Sequence, residues 1–182
     1  AIVGARASSL YGENITASIS NTLSKKGYTI VSGLAKGIDR KAHISTIKYN
    51  TIAVIGSGIT KKTFYPKENY KLFIEIIRKG GLVLTENMPD AKAFKWRFPM
   101  RNRIIAGLSD SVIITEAKKR SGSLITARFA LEFGKDVYAI PGNIDSDKYN
   151  GNNLLILDGA IPITDIDDLN IYFWVFNYII NL

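Results

Sequence analysis

The stretch RSGSLITARFALE at residues 120–132 places a Ser-Gly-Ser turn and two arginines at the start of an amphipathic run. A hydroxyl of the turn can cap the helix that the run predicts, and the glycine frees the backbone. Because a helix start presents unpaired N–H groups and a partial positive charge, the stretch is suited to an anion. A well-capped core helix that binds nothing is the alternative. The candidate ligands are Arg120, Ser121, Gly122, Ser123, Thr126 and Arg128.

Further candidates follow the other predicted strands. Arg6 comes shortly after the run AIVG, where its guanidinium could form bidentate hydrogen bonds with a phosphate or pair with a carboxylate. The stretch SGLAKGID at 32–39 has two glycines that allow a ligand close to the backbone, although a tight strand-to-helix turn would need them equally. Its acid, Asp39, could cap the next helix. Within this stretch we predict ligand contacts for Ser32, Gly33, Lys36 and Gly37.

Two arginines flank Asn102 in the stretch FPMRNRIIAGLS at 98–109. Side chains two residues apart on a helix diverge, so one guanidinium can reach a phosphate while the other ties the segment to the sheet. We predict that Arg101 and Asn102 contact the ligand and that Arg103 is structural.

Residues that could do catalytic work are few. His43, the one histidine, lies between two apolar residues of a predicted helix, which indicates a structural role. Glu86 and Glu116 end predicted strands, where they could act as acid or base, or hydrogen-bond a ribose or the main chain. The sequence has no Ser-His-Asp order, metal-ligand spacing, G-x-x-x-x-G-K-[ST] loop or dinucleotide fingerprint. We therefore expect no catalytic residue, no metal and no cofactor.

Positive charge is concentrated in one part of the chain. The net charge is +8, and residues 92–128 alone balance to +7, with nine Lys or Arg against two acids. Such a cluster favours a polyanionic partner, although a solvated basic face is the simpler alternative. Nearby aromatic rings could stack on nucleic-acid bases, and several would suit the core equally well. The candidates are Tyr11, Phe64, Tyr65, Phe94, Trp96 and Phe98.

Short apolar runs alternate with helical patterns along the chain. Because their apolar residues do not alternate strictly, these runs are typical of strands buried on both faces of a parallel sheet. We predict an α/β fold with a doubly wound, mostly parallel sheet and helices on both faces. Ligands of such sheets bind beyond the carboxyl ends of the strands, where the candidates above lie. The predicted strands are 1–4, 28–33, 51–56, 82–86, 111–117 and 136–142.

The chain has no Cys, which excludes a disulfide framework and favours the reducing cytoplasm. It opens in AIVG with neither an initiator Met nor a signal peptide, which suggests a fragment or a processed chain. The apolar stretch 169–182 is too short and too interrupted by asparagines to cross a bilayer. We expect a core domain at 1–165, a tail at 166–182 that packs on the domain or on a second subunit, and no membrane contact.

Five motifs follow one another along the chain, namely AIVGAR, VSGLAKGIDRKAH, FPMRNRIIAGLSD, TEAKKRSGSLITAR and VYAIPG. Together they resemble the Rossmann-like core of the bacterial DNA-processing protein A family, also called DprA or Smf. The resemblance covers residues 1–165, and GNNLLILDGA at 151–160 is similar to the family's G-x-N-x-L-I-x-x-G-A ending. The helical and winged-helix domains that usually flank this core in the family are missing from the sequence.

The resemblance implies a non-enzymatic protein that binds single-stranded DNA in natural transformation and DNA recombination, and that loads the RecA recombinase. It also implies DNA contacts at Arg6 and at the turn 120–123. Family members act as dimers, and the resemblance places Asn153, Leu155 and Ile156 near the dimer contact.

Two other classes stay open on the same fold. In phosphoribohydrolases, which are nucleotide N-glycosidases, the motif P-G-G-x-G-T-x-x-E supplies the catalytic glutamate. Aligning Gly122-Ser123 with the Gly-Thr of that motif puts Thr126 where the glutamate should be, so the carboxylate is missing here. A protein that only binds a small nucleotide is the second class.

Overall fold

The computed structural model describes residues 1–173, in which strands and helices alternate along the chain. The strands are β1 (Ile2–Val3), β2 (Ile30–Ser32), β3 (Thr51–Val54), β4 (Leu82–Leu84), β5 (Ser111–Ile114), β6 (Asp136–Ala139) and β7 (Ile161–Pro162). The helices are α1 (Leu10–Lys25), α2 (Ile38–Thr46), α3 (Tyr70–Arg78), α4 (Arg97–Gly107), α5 (Ser123–Glu132), α6 (Asn150–Leu157) and α7 (Asp168–Tyr172). A short 3-10 turn, Lys67–Asn69, precedes α3.

All strand pairs in the described residues are parallel. The ladders run β1-β5-β6-β7 and β2-β3-β4, with registers such as Val3 beside Ile114. The two ladders meet where the Ser32 hydroxyl donates to the Ile2 carbonyl oxygen at 2.6 Å, which sets β2 beside β1. The resulting order is β4-β3-β2-β1-β5-β6-β7, so the sheet grows to one side from β1 through β4 and to the other side from β5 onward, and the strand order reverses between β1 and β5. Ligands of doubly wound sheets bind at such a reversal.

Neighbouring strand residues point into different halves of the core. Ile2 packs with α1, α2 and α7 on one face of the sheet, whereas Val3 packs with α4 and α5 on the other. The strands are therefore buried on both faces, as the apolar runs predicted, and the doubly wound α/β prediction is confirmed. A third cluster lies under α3 and contains Phe64, which is 1% exposed. The stacking role considered for Phe64 is therefore wrong.

The structure adds elements at the carboxyl end of the described chain. Residues 150–157 form α6, although the run NGNNLLIL is rich in residues that disfavour helices. Leu169 and Phe173 are buried with the cluster under α1, and the rest of the predicted tail, 174–182, lies outside the described residues. Within residues 1–173, no helix is both long and apolar enough to cross a membrane.

Candidate functional site

A cleft of about 360 Å³ opens at the carboxyl ends of the strands, at the point between β1 and β5 where the strand order reverses. Its walls come from the ends of β1 and β2, from α4 and from the start of α5. The cleft brings together seven of the predicted site residues, which are Arg6, Arg101, Asn102, Ser121, Gly122, Ser123 and Thr126. A second cavity of about 340 Å³ lies at the opposite edge of the sheet and contains none of the predicted site residues.

The start of α5 is open toward the cleft. The N–H groups of Leu124 and Ile125 donate to the turn carbonyls of Ser121 and Gly122, both at 3.2 Å. The N–H of Ser123 makes only a long contact, 3.4 Å, with the Ser121 hydroxyl. No acceptor within residues 1–173 pairs with the Gly122 N–H, and the first turn carries no acid. Two N–H groups are therefore available to an anion.

The exposed arginines of this edge carry no ion pair in the part of the chain that the structure describes. Arg6, Arg120 and Arg128 are all solvent-exposed, and the ion pairs found in residues 1–173 involve other cations. The Arg6 guanidinium lies 5.3 Å from the ring centre of Phe98, which also lines the cleft. Arg6 thus lies over an aromatic ring and lines the same cleft as the open start of α5. Arg120 and Arg128 do not line the cleft and stand outside its rim.

Gly37 fixes the position of the loop that carries Arg6. Its φ angle is +67°, and a Cβ there would lie 2.3 Å from the Ala5 carbonyl oxygen. The next residue, Ile38, donates its N–H to that same oxygen at 3.1 Å. Gly37 therefore serves the site through backbone conformation and close approach. A direct ligand contact is not needed to explain it.

Ser32 and Arg101 are both buried and bonded to the protein itself. Ser32 does not line the cleft, so our prediction of a direct ligand contact for it is wrong, whereas Arg101 lines the cleft and its ligand contact stays a prediction. The Ser32 hydroxyl donates its hydrogen bond to the Ile2 carbonyl oxygen, between β2 and β1. One nitrogen of Arg101 donates to the carbonyl oxygens of Gly33, at 2.6 Å, and of Val54. Burial lowers the pKa of Arg101 to about 10. Arg101 thus joins the ends of β2 and β3 and forms the floor of the cleft.

Gly33 and Asp39 also support that floor. The Asp39 carboxylate accepts the Gly33 N–H at 3.1 Å, and a Cβ on Gly33 would lie 2.7 Å from the Arg101 guanidinium. Burial raises the pKa of Asp39, against the opposing effects of the Arg101 charge and of backbone N–H groups. Asp39 therefore organises the turn after β2 and does not cap α2, whose N-cap is Gly37 without a side-chain bond.

Lys36 and Asn102, at the border of the cleft, differ in their exposure to solvent and in their bonding partners. Lys36 is exposed and paired with Glu68, which raises the pKa of the lysine. Asn102 is nearly buried, and its amide donates to the Gly122 carbonyl oxygen at 3.1 Å, which holds α4 against the start of α5. Arg103 points away to a surface ion pair with Glu86.

Glu116 occupies the start of α1. Its carboxylate is 0% exposed and accepts the Ser9 N–H at 3.0 and 3.1 Å, the Ser9 hydroxyl, and the Tyr149 hydroxyl at 3.2 Å. A Cβ on Gly12 would lie 2.3 Å from its Oε2, so glycine is needed there. Glu116 is thus a structural anion and is not placed to act as a free acid or base. Of the roles that the sequence leaves open for Glu116, the structure shows a hydrogen bond to the main chain, from the Ser9 N–H.

His43 is a core residue, and it forms no metal-binding cluster with the acids of residues 1–173. His43 is buried, its Nδ1 lies 2.8 Å from the Thr51 hydroxyl, and burial lowers its pKa to about 3. It therefore has the structural position that the sequence indicated. Within residues 1–173, no group of three or more His, Asp or Glu side chains could hold a metal ion.

The residues predicted near a dimer contact lie on α6. Asn153 bonds to its own chain, with the Gly142 N–H at 3.1 Å and the Gly142 carbonyl oxygen at 3.0 Å. Leu155 packs partly against the core under α5, and Ile156 is half-buried. The side chains that α6 exposes most are Leu154 and Leu157. A subunit contact through this helix stays a prediction.

The fold and the cleft define a Rossmann-like α/β protein whose cleft lies between β1 and β5, where the strand order switches, beside the open start of α5. The family described as DNA recombination-mediator protein A matches residues 1–173, and the chain belongs to this family of recombination mediators. It is 43% identical over 170 residues to the DNA processing protein DprA of Bacillus subtilis, covering 92% of this chain and 56% of that protein. The chain spans about half the length of the curated relatives that it matches.

Two solved structures are similar in both fold and sequence. The DNA processing protein A of Streptococcus pneumoniae superposes with a TM-score of 0.85 at 44% identity, covering 94% of this chain and 60% of that one. The protein of Helicobacter pylori superposes with a TM-score of 0.83 at 33% identity, covering 92% and 76%. The latter structure is described as showing a single-stranded DNA binding mode of that protein.

Proposed function

We propose that this chain binds single-stranded DNA in the cleft at the start of α5. The observation that carries the proposal is the open helix start: the Gly122 N–H has no acceptor in residues 1–173, and Gly122 lines the same cleft as Arg6, which makes no ion pair in those residues. A backbone phosphate would accept hydrogen bonds from the N–H groups of Gly122 and Ser123 and from the Arg6 guanidinium. Arg120 and Arg128, which are exposed outside the cleft, would attract the neighbouring phosphates. The similarity to the Helicobacter pylori protein supports this use of the site.

Bases would be held by stacking. Phe98 lines the cleft and lies 5.4 Å, centre to centre, from the ring of Tyr65, which is 42% exposed. Arg6 covers Phe98 on another side. Because every base has a π face, such a site tolerates any sequence. Because cations contact the phosphates, its affinity falls as the salt concentration rises.

Membership of the family supports a biological role for this binding. We propose that the chain acts in the cytoplasm, mediating natural transformation and recombination, that it loads RecA onto the bound strand, and that it forms a homodimer through α6. Exposed Leu154 and Leu157 beside the half-buried Ile156 support that choice of helix. We propose no catalytic role, since Thr126 stands where a phosphoribohydrolase would need its glutamate and Glu116 is buried at α1.

The test is binding of a labelled oligothymidylate to the parent chain and to Arg6→Ala and Arg120→Ala, measured by fluorescence anisotropy over a salt series. Each lost phosphate contact should lower the slope of log affinity against log salt by about 0.7. We expect each variant to bind about tenfold more weakly at low salt. Arg103→Ala is the matched control, because Arg103 is exposed but paired with Glu86 outside the cleft.

Unchanged affinity in both variants would remove the proposed site. Tight binding of AMP that competes with the oligonucleotide, or release of ribose phosphate from AMP, would instead favour the nucleotide-binding class. A folded chain in which all three variants lose affinity equally would indicate general electrostatic attraction to the basic surface.

A further inference from the structure

The segment between β4 and α4 presents two large aromatic side chains to solvent. Trp96 is 62% exposed and Phe94 is 49% exposed. Neither ring belongs to the three hydrophobic clusters of the core. Folding of the described chain therefore does not account for these rings. Adjacent exposed aromatic side chains on a protein surface mark a place where another molecule binds.

Arg97 holds both rings in position. Its guanidinium carbon lies 5.1 Å from the ring centre of Phe94 and 5.3 Å from that of Trp96. One guanidinium nitrogen donates to the Lys92 carbonyl oxygen at 2.8 Å, whereas Nε is buried without an acceptor in residues 1–173. The two ring faces thus provide a large part of what holds this cation. Rings ordered in advance lose less entropy when a ligand stacks on them.

The segment is anchored next to the cleft. Gly58 donates its N–H to the Ala91 carbonyl oxygen at 3.0 Å, and Ile59 donates to Pro89 at 2.9 Å. At the other end, Phe98 directly follows Arg97 in the chain and lines the cleft. Phe94 and Trp96 therefore lie within four residues of a side chain that lines the cleft.

The charges beside the rings favour a nucleic acid over a protein as the occupant. Lys92 and Lys95 are exposed and alternate with the rings along the segment. The buried centres of protein–protein interfaces are depleted in lysine, whereas single strands are bound by aromatic rings interleaved with cations.

We propose that Phe94 and Trp96, clamped by Arg97, form an aromatic platform that stacks bases of single-stranded DNA outside the cleft. This inference rests on the proposed function, because the strand must first occupy the cleft. The platform lengthens the stretch of strand that one chain covers. It adds affinity only to strands long enough to reach from the cleft to the rings.

The test compares oligothymidylates of about 5 and about 20 nucleotides, which lie near the lower end and beyond the upper end of the lengths that single-strand sites cover. Trp96→Ala and Phe94→Ala should each weaken binding of the long strand about 5- to 150-fold and leave the short strand unchanged. Arg97→Gln should weaken the long strand by a smaller factor, because the rings remain but lose their clamp. Met88→Ala is the control, since Met88 is 74% exposed in the same segment without a contact to Arg97.

A spectroscopic readout separates stacking from an indirect effect. The sequence has two tryptophans, so a Trp174→Phe background leaves Trp96 as the sole indole. The long strand should quench its fluorescence and the short strand should not. Equal affinities of parent and Trp96→Ala for both strands, or equal losses for both strands, would overturn the platform. In those cases Arg6→Ala still decides the proposed function, because Arg6 lies in the cleft.

Discussion

The starts of α1 and α5 lie at the same edge of the sheet and differ in what neutralises their positive ends. At α1, the buried Glu116 carboxylate accepts hydrogen bonds from Ser9 and Tyr149. At α5, the first turn contains no acid, and the Gly122 N–H has no acceptor within residues 1–173. One helix start is therefore filled by the protein's own carboxylate, and the other is left for a ligand.

This difference explains how a Rossmann-like sheet comes to suit a polynucleotide. In dinucleotide-binding proteins of this architecture, the pyrophosphate sits at the helix that follows the first strand. Here Glu116 takes that place, and Gly12 lets it approach to a distance that any Cβ would prevent. In the proposed function the anion site lies instead at the start of α5, in the cleft that Arg6 also lines.

The largest effect that tests the comparison is on folding. Glu116→Ala leaves the Ser9 N–H, the Ser9 hydroxyl and the Tyr149 hydroxyl without their acceptor in a buried place. We expect the free energy of unfolding to fall by about 3 kcal/mol, measured by urea denaturation at neutral pH.

Glu86→Ala is the matched control for that change, because Glu86 is an exposed acid in a surface ion pair and should cost less than about 1 kcal/mol. If Glu116→Ala were as stable as the parent and bound oligonucleotide more weakly, Glu116 would be a ligand-binding residue and the contrast between the helices would be lost.

A middle-sized effect concerns binding alone. Gly122→Asp gives α5 an acid like the one at α1, and a Cβ at this position meets nothing within 4 Å. Asp favours a helix start, so stability should hold or rise, while affinity for single-stranded DNA should fall about tenfold. Urea denaturation and anisotropy measure the two quantities on the same samples.

Gly122→Asn separates charge from bulk in that experiment, since it adds a similar volume without the negative charge. It should keep most of the affinity. A loss of stability in Gly122→Asp, or undiminished DNA binding, would show that the start of α5 is only a structural turn.

Most of the fold could be predicted from local pattern. Runs such as AIVG and SVIIT have apolar side chains on both faces, and Ile2 and Val3 do enter opposite halves of the core. The Ser-Gly-Ser turn likewise predicts where α5 starts from residues that are adjacent in sequence, although the N-cap is Gly122 and no serine hydroxyl caps the helix. By contrast, α6 arises where Asn and Gly disfavour a helix, because Asn152 bonds to the Ile114 and Ile140 carbonyl oxygens at the ends of two strands.

The errors in the site come from contacts between distant parts of the chain. The sequence shows an arginine at position 101 but not whether its side chain is exposed or buried. In the structure the Arg101 guanidinium is buried and donates to the carbonyl oxygens of Gly33 and Val54. Glu116 accepts a hydrogen bond from Ser9, which is 107 residues away in the sequence. The type and spacing of residues along the chain do not encode such partners, since the topology of the sheet brings them together.

The smallest expected effect probes the closed end of α1. Tyr149→Phe removes one donor to Glu116 and should lower the free energy of unfolding by about 1 kcal/mol. Burial raises the pKa of the Tyr149 phenol from 10.0 to about 12. A raised folded-state pKa favours the protonated form, so this contribution is present below about pH 10 and is lost as the pH rises through about 12. The stability gap between parent and variant should therefore narrow over that interval.

Tyr11→Phe is the control for this titration, because the Tyr11 ring lies 5.8 Å from that of Tyr149 but makes no bond to Glu116. Its stability should run parallel to that of the parent at every pH. A gap between parent and Tyr149→Phe that stays constant from pH 10 to pH 12 would mean that the phenol ionises as in the unfolded chain. The start of α1 would then be open to water, and it would differ much less from the start of α5.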